Sequence, residues 1–138
     1  MKRLAKLGAV ALTVAAVQPL SAAEPVAGSW MTADKSALVE IAPCGKALCG
    51  TIVKFLGPQR GGADPRDVNN TNPALRSRRI LGMAILTGFT PDGNKWNGQI
   101  YDPRSGKTYR SVLFRKGNQL DVKGCISVFC KTQVWTKG

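Results

Sequence analysis

Short segments in which apolar and polar residues alternate, separated by turn-forming residues, fill this sequence from Gly28 to its end. In "ALVEIAPC", for example, Ala37, Val39 and Ile41 fall on one face. A period of two is that of a β-strand, because successive strand side chains point to opposite faces, whereas a helix repeats every ~3.6 residues. The pattern therefore predicts an antiparallel β-meander rather than a helical domain.

The strand pattern occurs in seven or eight segments. They are "SWMTA", "ALVEIAPC", "CGTIVKFL", "MAILTGF", "WNGQIYD", "TYRSVLFR", "QLDVKGC" and "CKTQVWT". In "CGTIVKFL" the alternating set is Thr51, Val53 and Phe55. Most connections are short turns rich in Gly, Asp and Pro, so consecutive strands are expected to pair as hairpins. Without crossovers, such a chain closes most simply into an all-β, small antiparallel up-and-down β-barrel, with a sandwich as the alternative.

Residues 1–23 have the composition of a secretory signal peptide. Three cations precede an apolar run over residues 7–17, and small residues at Ser21 and Ala23 predict cleavage after Ala23. The run is about half of the ~20 residues that a transmembrane helix needs, and no cysteine follows it at a lipoprotein position. We expect a soluble, periplasmic or secreted protein, without a transmembrane segment, whose single domain spans residues 24–138.

The predicted mature chain is strongly basic. Removing the three cations of residues 1–23 leaves 17 of 20 Lys and Arg against eight Asp and Glu, a net charge of +9. An exported protein meets few nucleic acids, but it does meet anionic lipid head groups, lipopolysaccharide phosphates and cell-wall polymers. These are the expected polyanionic partners, and the alternative is that the charge only keeps a small domain soluble.

Four cysteines, Cys44, Cys49, Cys125 and Cys130, form two pairs with four residues between the members of each. In an oxidising compartment they predict two disulfides. Three connectivities are possible, and local pairing is favoured because each pair flanks a short segment between two strands. Zinc sites usually have tighter spacing and need thiolates that stay reduced, so no metal site is predicted.

The sequence contains no histidine. This removes Ser-His and Cys-His nucleophilic catalysis, His-ligated metals and the commonest general base. Several of the acidic residues, such as Asp92 and Asp102, lie in turn sequences where they serve local hydrogen bonds. We therefore expect neither an enzyme nor a cofactor, and two carboxylates converging in a cavity would be needed to reverse that expectation.

The longest connection contains "DPRDVNNTNPALRSRR", Asp64 to Arg79. A calcium loop starting at Asp67 is rejected, because Asn72 replaces the required Gly and Arg78 replaces the bidentate Glu. Asp and Asn form Asx turns readily, and neighbouring arginines pair with acids or face water. We predict a loop braced by its own side chains, with a possible helical turn at "NPALRSR", that could cover the mouth of a barrel.

Five stretches, in order and spacing, resemble a bacterial exported family called domain of unknown function 2147. They are "GSWMT", "VEIAPCGKALCGTIV", "DVNNTNPALRSRRILGMAIL", "WNGQIYDPRSGKTY" and "GCISVFCKTQVWT". The resemblance covers nearly all of residues 24–138 and implies a lipocalin-like or calycin-like barrel, a periplasmic or secreted location and no established activity. The positions that recur in the family pattern are Asp67, Asn69, Asn70, Trp96, Tyr101, Asp102, Pro103, Gly106 and Tyr109.

Trp30 stands in "GSW" at the entry to the first strand, as in ligand-holding barrels of the lipocalin type. Lys131 or Lys137, which flank the last strand, could place a cation over its ring.

Two hypotheses follow for function. The first is a non-enzymatic periplasmic carrier or sensor that holds a small apolar or amphipathic ligand in the barrel. Its candidate ligand-binding residues are Trp30, Asn70, Arg79, Tyr101 and Tyr109. The alternative is an envelope interaction module, with a barrel filled by side chains and a basic face that docks on anionic lipid, lipopolysaccharide or a protein partner.

Overall fold

The computed structural model describes residues 5–16 and 22–138. All of its β-strands lie between Gly28 and Lys137, and the described residues before Gly28 form no strand or helix. Residues 1–4 and 17–21 of the predicted signal peptide, with two of its cations and Ser21, lie outside the described residues. Among the described residues, no helix has the length and apolar character needed to cross a membrane.

Eight antiparallel strands form one closed barrel. They are β1 (Gly28–Met31), β2 (Ala37–Cys44), β3 (Ala47–Phe55), β4 (Ala84–Asp92), β5 (Lys95–Asp102), β6 (Lys107–Lys116), β7 (Gln119–Ile126) and β8 (Phe129–Lys137). Each strand pairs with the next along the chain, and β8 closes the barrel against β1. The prediction of an all-β up-and-down barrel is therefore confirmed.

The inward face of β2 is the predicted one, but that of β3 is not. Val39 and Ile41 are buried, and their partners across the sheet are Ile52 and Gly50. Near the turn, Gly50 and Ile52 of β3 therefore face the core, while Val53 of the expected set is 45% exposed and Phe55 of that set does pack against the core. The two-residue turn sets the register beside it, and a β-bulge between Leu38 and Val39 then shifts the pairing, so that Phe55 lies opposite the buried Ala37.

Large apolar side chains of the strands point into the interior of the barrel. Its largest fully buried residues are Trp30, Trp135, Phe89, Leu86, Leu113 and Leu120. Glycines in the wall make room for them. A Cβ at Gly98 would lie 2.6 Å from Phe89 Cγ, and one at Gly50 would lie 2.7 Å from Leu86 Cδ1. These close approaches show that Phe89 and Leu86 pack directly against the wall of the barrel.

Both disulfides pair locally, as the spacing favoured. Cys44 bonds to Cys49 across β2 and β3, and Cys125 bonds to Cys130 across β7 and β8. Because the strands alternate in direction, these two hairpins turn at opposite ends of the barrel.

We name the two ends by what covers them. The N-terminal end holds the β2–β3, β4–β5 and β6–β7 turns, and Val26, two residues before β1, is fully buried. Trp30 Nε1 donates to the Val26 carbonyl at 2.9 Å, and Trp96 Nε1 donates to the Glu24 carbonyl at 2.9 Å. The loop end holds the β1–β2, β5–β6 and β7–β8 turns and the long β3–β4 connection, residues 56–83.

Two cations pack over the ring of Trp30 at the N-terminal end. Lys137 Nζ lies 4.8 Å and Arg115 Cζ lies 5.4 Å from a ring centroid. Arg115 Nη1 also donates to the Pro25 carbonyl at 2.7 Å. Lys137 is thus the cation that the sequence suggested, whereas Lys131 lies towards the loop end.

Candidate functional site

The long connection at the loop end is braced by its own side chains, as predicted. A 3-10 helix at Pro73–Leu75 begins after Asn72, whose side chain accepts a 3.1 Å hydrogen bond from Ala74 N. Arg66 and Arg79 form a backbone bridge that closes the loop on itself. An Asx cap followed by Pro at the first helical position gives this short turn its start.

A buried carboxylate, Asp67, is the centre of the loop. Its side chain is 0% exposed. Tyr101 Oη donates to Asp67 Oδ1 at 2.5 Å, while Asn70 Nδ2 and Arg78 Nη2 each donate to Asp67 Oδ2 at 2.9 Å. Three donors and one positive charge therefore satisfy this carboxylate, which is what burial of an ionised acid requires.

These contacts shift two pKa values in opposite directions. Burial raises the pKa of the Asp67 carboxyl, but the hydrogen bonds from Tyr101, Asn70 and Arg78 outweigh burial and hold the pKa below its ordinary value. Burial, together with the hydrogen bond to Asp67 and its negative charge, raises the pKa of Tyr101 to about 12. At neutral pH, Asp67 is thus ionised and Tyr101 keeps the proton that it donates.

Close backbone contact joins the loop to the β5–β6 turn. Asn69 Nδ2 donates to the carbonyls of Pro103 and Arg104 at 3.2 Å and 3.1 Å. Gly106 has a φ of +69°, and a Cβ at this position would overlap the Asn69 carbonyl. Only glycine combines this backbone conformation with such a close approach, so Gly106 fixes where the loop sits.

The remaining ion pairs of the loop end are exposed. Asp64 accepts from Arg66 at 2.7 Å and from Arg79 at 2.9 Å. Arg104 reaches Asp34 in the β1–β2 turn, where burial raises the pKa of Asp34 but Ser36, Thr32 and Arg104 together lower it to about 2. Such pairs orient loops and contribute little to stability.

Positive charge is concentrated at the loop end. Its four segments, residues 32–36, 54–83, 102–110 and 123–131, hold twelve Lys and Arg against four Asp, a net +8. The rest of residues 24–138 holds five Lys and Arg against four Asp and Glu, a net +1. Within the described residues, eight of the twelve loop-end cations have no carboxylate within 4 Å. They are Lys35, Lys54, Arg60, Arg76, Lys107, Arg110, Lys123 and Lys131.

An open groove of about 540 Å³ runs along this basic end. It lies between Thr71 of the loop, residues 106–110 and residues 125–126. Tyr109 lines it together with Lys107 and Arg110, and the Tyr109 hydroxyl lies 3.3 Å from Ser105 Oγ. In the described part of the chain, no three His, Cys, Asp or Glu side chains meet in a cluster that could hold a metal.

The five residues predicted to contact a ligand do not meet in one place. Asn70 and Tyr101 come together at the buried carboxylate, with Asn70 Nδ2 3.2 Å from Tyr101 Oη. Arg79 lies in an exposed ion pair of the loop, and Tyr109 lines the groove. Trp30 lies in the core at the N-terminal end.

Two features of the loop end escaped the sequence reasoning. The first is the burial of Asp67, and its signal was an acid flanked by Arg and Asn in a long connection. The second is the exposed apolar segment from Ile126 to Phe129. Its signal was the turn in "CISVFC", which lacks the Gly or Asn usual for a hairpin.

The closed eight-stranded antiparallel barrel defines a lipocalin-like fold. A solved structure titled "Protein HP1028 from the human pathogen Helicobacter pylori belongs to the lipocalin family" shares it, with a TM-score of 0.73 and 22% identity over 83% of each chain. Residues 28–137 match the family described as "Uncharacterized protein conserved in bacteria (DUF2147)", and the chain belongs to that family. No curated protein sequence matches the chain.

Proposed function

We propose that this protein is a non-enzymatic protein of the bacterial envelope, periplasmic or secreted, that docks on an anionic lipid surface through its loop end. The observation that carries the proposal is the charge separation, with net +8 at the loop end and net +1 over the rest of residues 24–138. A charge confined to one end orients a small protein towards an anionic surface, whereas solubility alone needs no such asymmetry.

The packing of the barrel supports a role for its outer surface. Trp30, Trp135 and Phe89 occupy the interior together with aliphatic side chains. A barrel of about eight strands has room for its own side chains or for one small ligand. Here the barrel is a rigid scaffold that holds the loop and the adjacent turns in place. The two disulfides support export, because such bonds persist in oxidising compartments.

The expected binding is electrostatic and sensitive to salt. A Lys or Arg close to an anionic membrane contributes about 1 kcal/mol, and eight loop-end cations lack a carboxylate partner among the described residues. The attraction falls off over about 10 Å at 0.1 M salt, so affinity should decrease steeply as salt increases.

Vesicle co-sedimentation tests the proposal. The protein should bind vesicles of phosphatidylglycerol and phosphatidylethanolamine at low salt, and it should not bind phosphatidylcholine vesicles. The paired substitution Lys107→Gln and Lys131→Gln should weaken binding by about tenfold. Lys46→Gln with Lys95→Gln, at the N-terminal end, removes the same charge and should have a much smaller effect. Equal losses in the two variants would mean that net charge, and not the loop end, attracts the membrane.

A second candidate function is favoured by the groove beside Tyr109. Lys107, Arg110 and Ile126 line this open groove and give it cations beside an apolar side chain. That combination matches a small amphipathic anion. Native mass spectrometry of the protein purified from its own source would reveal a stoichiometric adduct, and a clean mass without an adduct would argue against a carrier.

A further inference from the structure

We infer that the tip of the β7–β8 hairpin, residues 126–129, inserts into the interface of an anionic bilayer when the loop end docks. The inference rests on the proposed docking function and names its apolar contact. The tip exposes three large apolar side chains, with Ile126 at 67%, Val128 at 82% and Phe129 at 78% exposed. An exposed apolar cluster on a soluble domain marks an interaction site more often than scattered single residues do.

The chemistry of the turn sets this hairpin apart. Four hairpins of the barrel have two-residue turns, and three of these turns are Gly45-Lys46, Gly93-Asn94 and Gly117-Asn118, all at the N-terminal end. The fourth is Ser127-Val128 at the loop end, where Ser127 takes a positive φ of 54°. Gly and Asn suit such turns, whereas a β-branched Val at an exposed tip has no local structural advantage.

The tip is held rigidly for contact. Cys125 and Cys130 flank its four residues and are joined by a disulfide. Arg110 Nη2 donates to the Ser127 carbonyl at 3.0 Å, which fixes the turn against β6. A preorganised apolar tip loses little conformational entropy when it is buried in another phase.

Cations surround the apolar tip. Arg110 of β6 lies opposite Cys125 of β7, and Lys131 of β8 lies opposite Gly124 of β7. Lys107 lines the groove that ends at Ile126. An apolar insertion combined with a basic patch is the pairing that retains peripheral proteins on anionic membranes, because neither signal suffices alone. The charge complementarity therefore favours an anionic bilayer as the partner.

A second copy of this chain is the competing occupant. Within the described residues, β8 pairs with β1 only at Thr136 and Lys137, so its earlier residues leave one strand edge open. Lys131 lies on this open stretch, and charged residues on an edge oppose pairing between copies.

Vesicle binding of the full chain, with its disulfides intact, tests the inference. Val128→Ser and Phe129→Ser together should weaken binding to phosphatidylglycerol vesicles at 0.1 M salt by about tenfold or more. Val53→Ser, at an exposed apolar residue of β3, serves as the matched control and should leave binding unchanged. In the Phe129→Trp variant, brominated acyl chains should quench more tryptophan fluorescence than they do in the wild type. Asn94→Trp, at the opposite end, should not be quenched in this way.

The outcomes separate the two proposals. If the wild type binds anionic vesicles and the tip variants bind equally well, the insertion is wrong and docking stands. If the wild type fails to bind even at low salt, the docking function itself is wrong. If Phe129→Ser instead abolishes a concentration-dependent dimer and leaves vesicle binding intact, the tip is a contact between copies of this chain.

Discussion

The two ends of this barrel are closed by different chemistry. At the N-terminal end, Val26 and Trp30 are buried, and backbone carbonyls accept from two indole N–H groups. At the loop end, the buried group at the centre of the covering loop is a carboxylate, Asp67, with hydrogen bonds from Tyr101 and Arg78. An apolar closure is stabilised by packing, whereas the polar one depends on every donor keeping its acceptor. The second kind of closure leaves a charged surface available for binding.

The largest effect is expected from breaking the apolar end. Trp30→Ala should lower the free energy of unfolding by about 3–5 kcal/mol, because it leaves a cavity beneath Val26 and removes the aromatic partner of Lys137 and Arg115. Denaturant unfolding followed by circular dichroism measures the change. Trp30→Phe should cost clearly less, and equal costs would show that the ring's hydrogen bond, rather than its volume, closes this end.

Removal of the buried carboxylate should have the next largest effect. Asp67→Ala leaves three donors without their acceptor, and we expect a loss of roughly 3 kcal/mol in unfolding free energy. Asp64→Ala is the control, since its ion pairs are exposed and their loss should change the free energy of unfolding much less. Comparable losses in the two variants would contradict the central role of Asp67.

Substitution of Gly106 tests the contact between the long loop and the β5–β6 turn. Gly106→Ala should cost about 2 kcal/mol, because the added methyl overlaps the Asn69 carbonyl and the backbone has a positive φ. Gly117→Ala shares the positive φ of +60° but meets open space, so it should cost about 1 kcal/mol. The difference between the two melting temperatures isolates the contact. No difference would mean that the loop can shift without loss.

Smaller effects on the free energy of unfolding are expected from changes in pH, first on the alkaline side. The pKa of Tyr101 is raised to about 12, so its contribution to stability is complete below its unfolded value of about 10. That contribution decreases as pH rises through about 12, by on the order of 1 kcal/mol. Tyr101→Phe should remove this alkaline component, which is measured as the wild-type minus variant difference in unfolding free energy against pH. A difference that is constant from pH 8 to pH 12 would contradict the network.

Low pH should also reduce the stability of the loop end, because Asp67 then becomes protonated. Because the folded pKa of Asp67 lies below its ordinary value, its contribution to stability is present at neutral pH. It is lost as pH falls through the folded pKa. Comparison of Asp67→Asn with the wild type should therefore show a difference in unfolding free energy that shrinks below about pH 4.

Much of the architecture follows from local sequence. Alternating apolar residues and short turns determine the eight strands, because strand side chains alternate and two-residue turns leave little choice of partner. Local spacing also predicted the disulfide pairing of Cys44 with Cys49 and of Cys125 with Cys130. These features depend on neighbours within a few residues, which a sequence displays directly.

Other features depend on contacts between distant parts of the chain. Asp64 and Asp67 stand three residues apart in one loop, yet only Asp67 is buried, because Tyr101 of β5 supplies its donor. The inward face of β3 was predicted wrongly for Thr51 and Val53 and correctly for Phe55, because pairing with β2 and a bulge in that pairing decide which residues point inward. The role of Gly106 follows only from the close approach of the Asn69 carbonyl, which the sequence does not show.

The sequence by itself predicted a basic, disulfide-bonded domain of seven or eight strands and favoured a barrel over a sandwich. Only the tertiary structure decided where its charge lies. Antiparallel strands send alternate connections to opposite ends, so segments far apart in sequence gather their cations at the loop end, around the apolar tip at residues 126–129. The net charge follows from composition alone. The position of each charge on the surface depends on how the strands pair and close into the barrel.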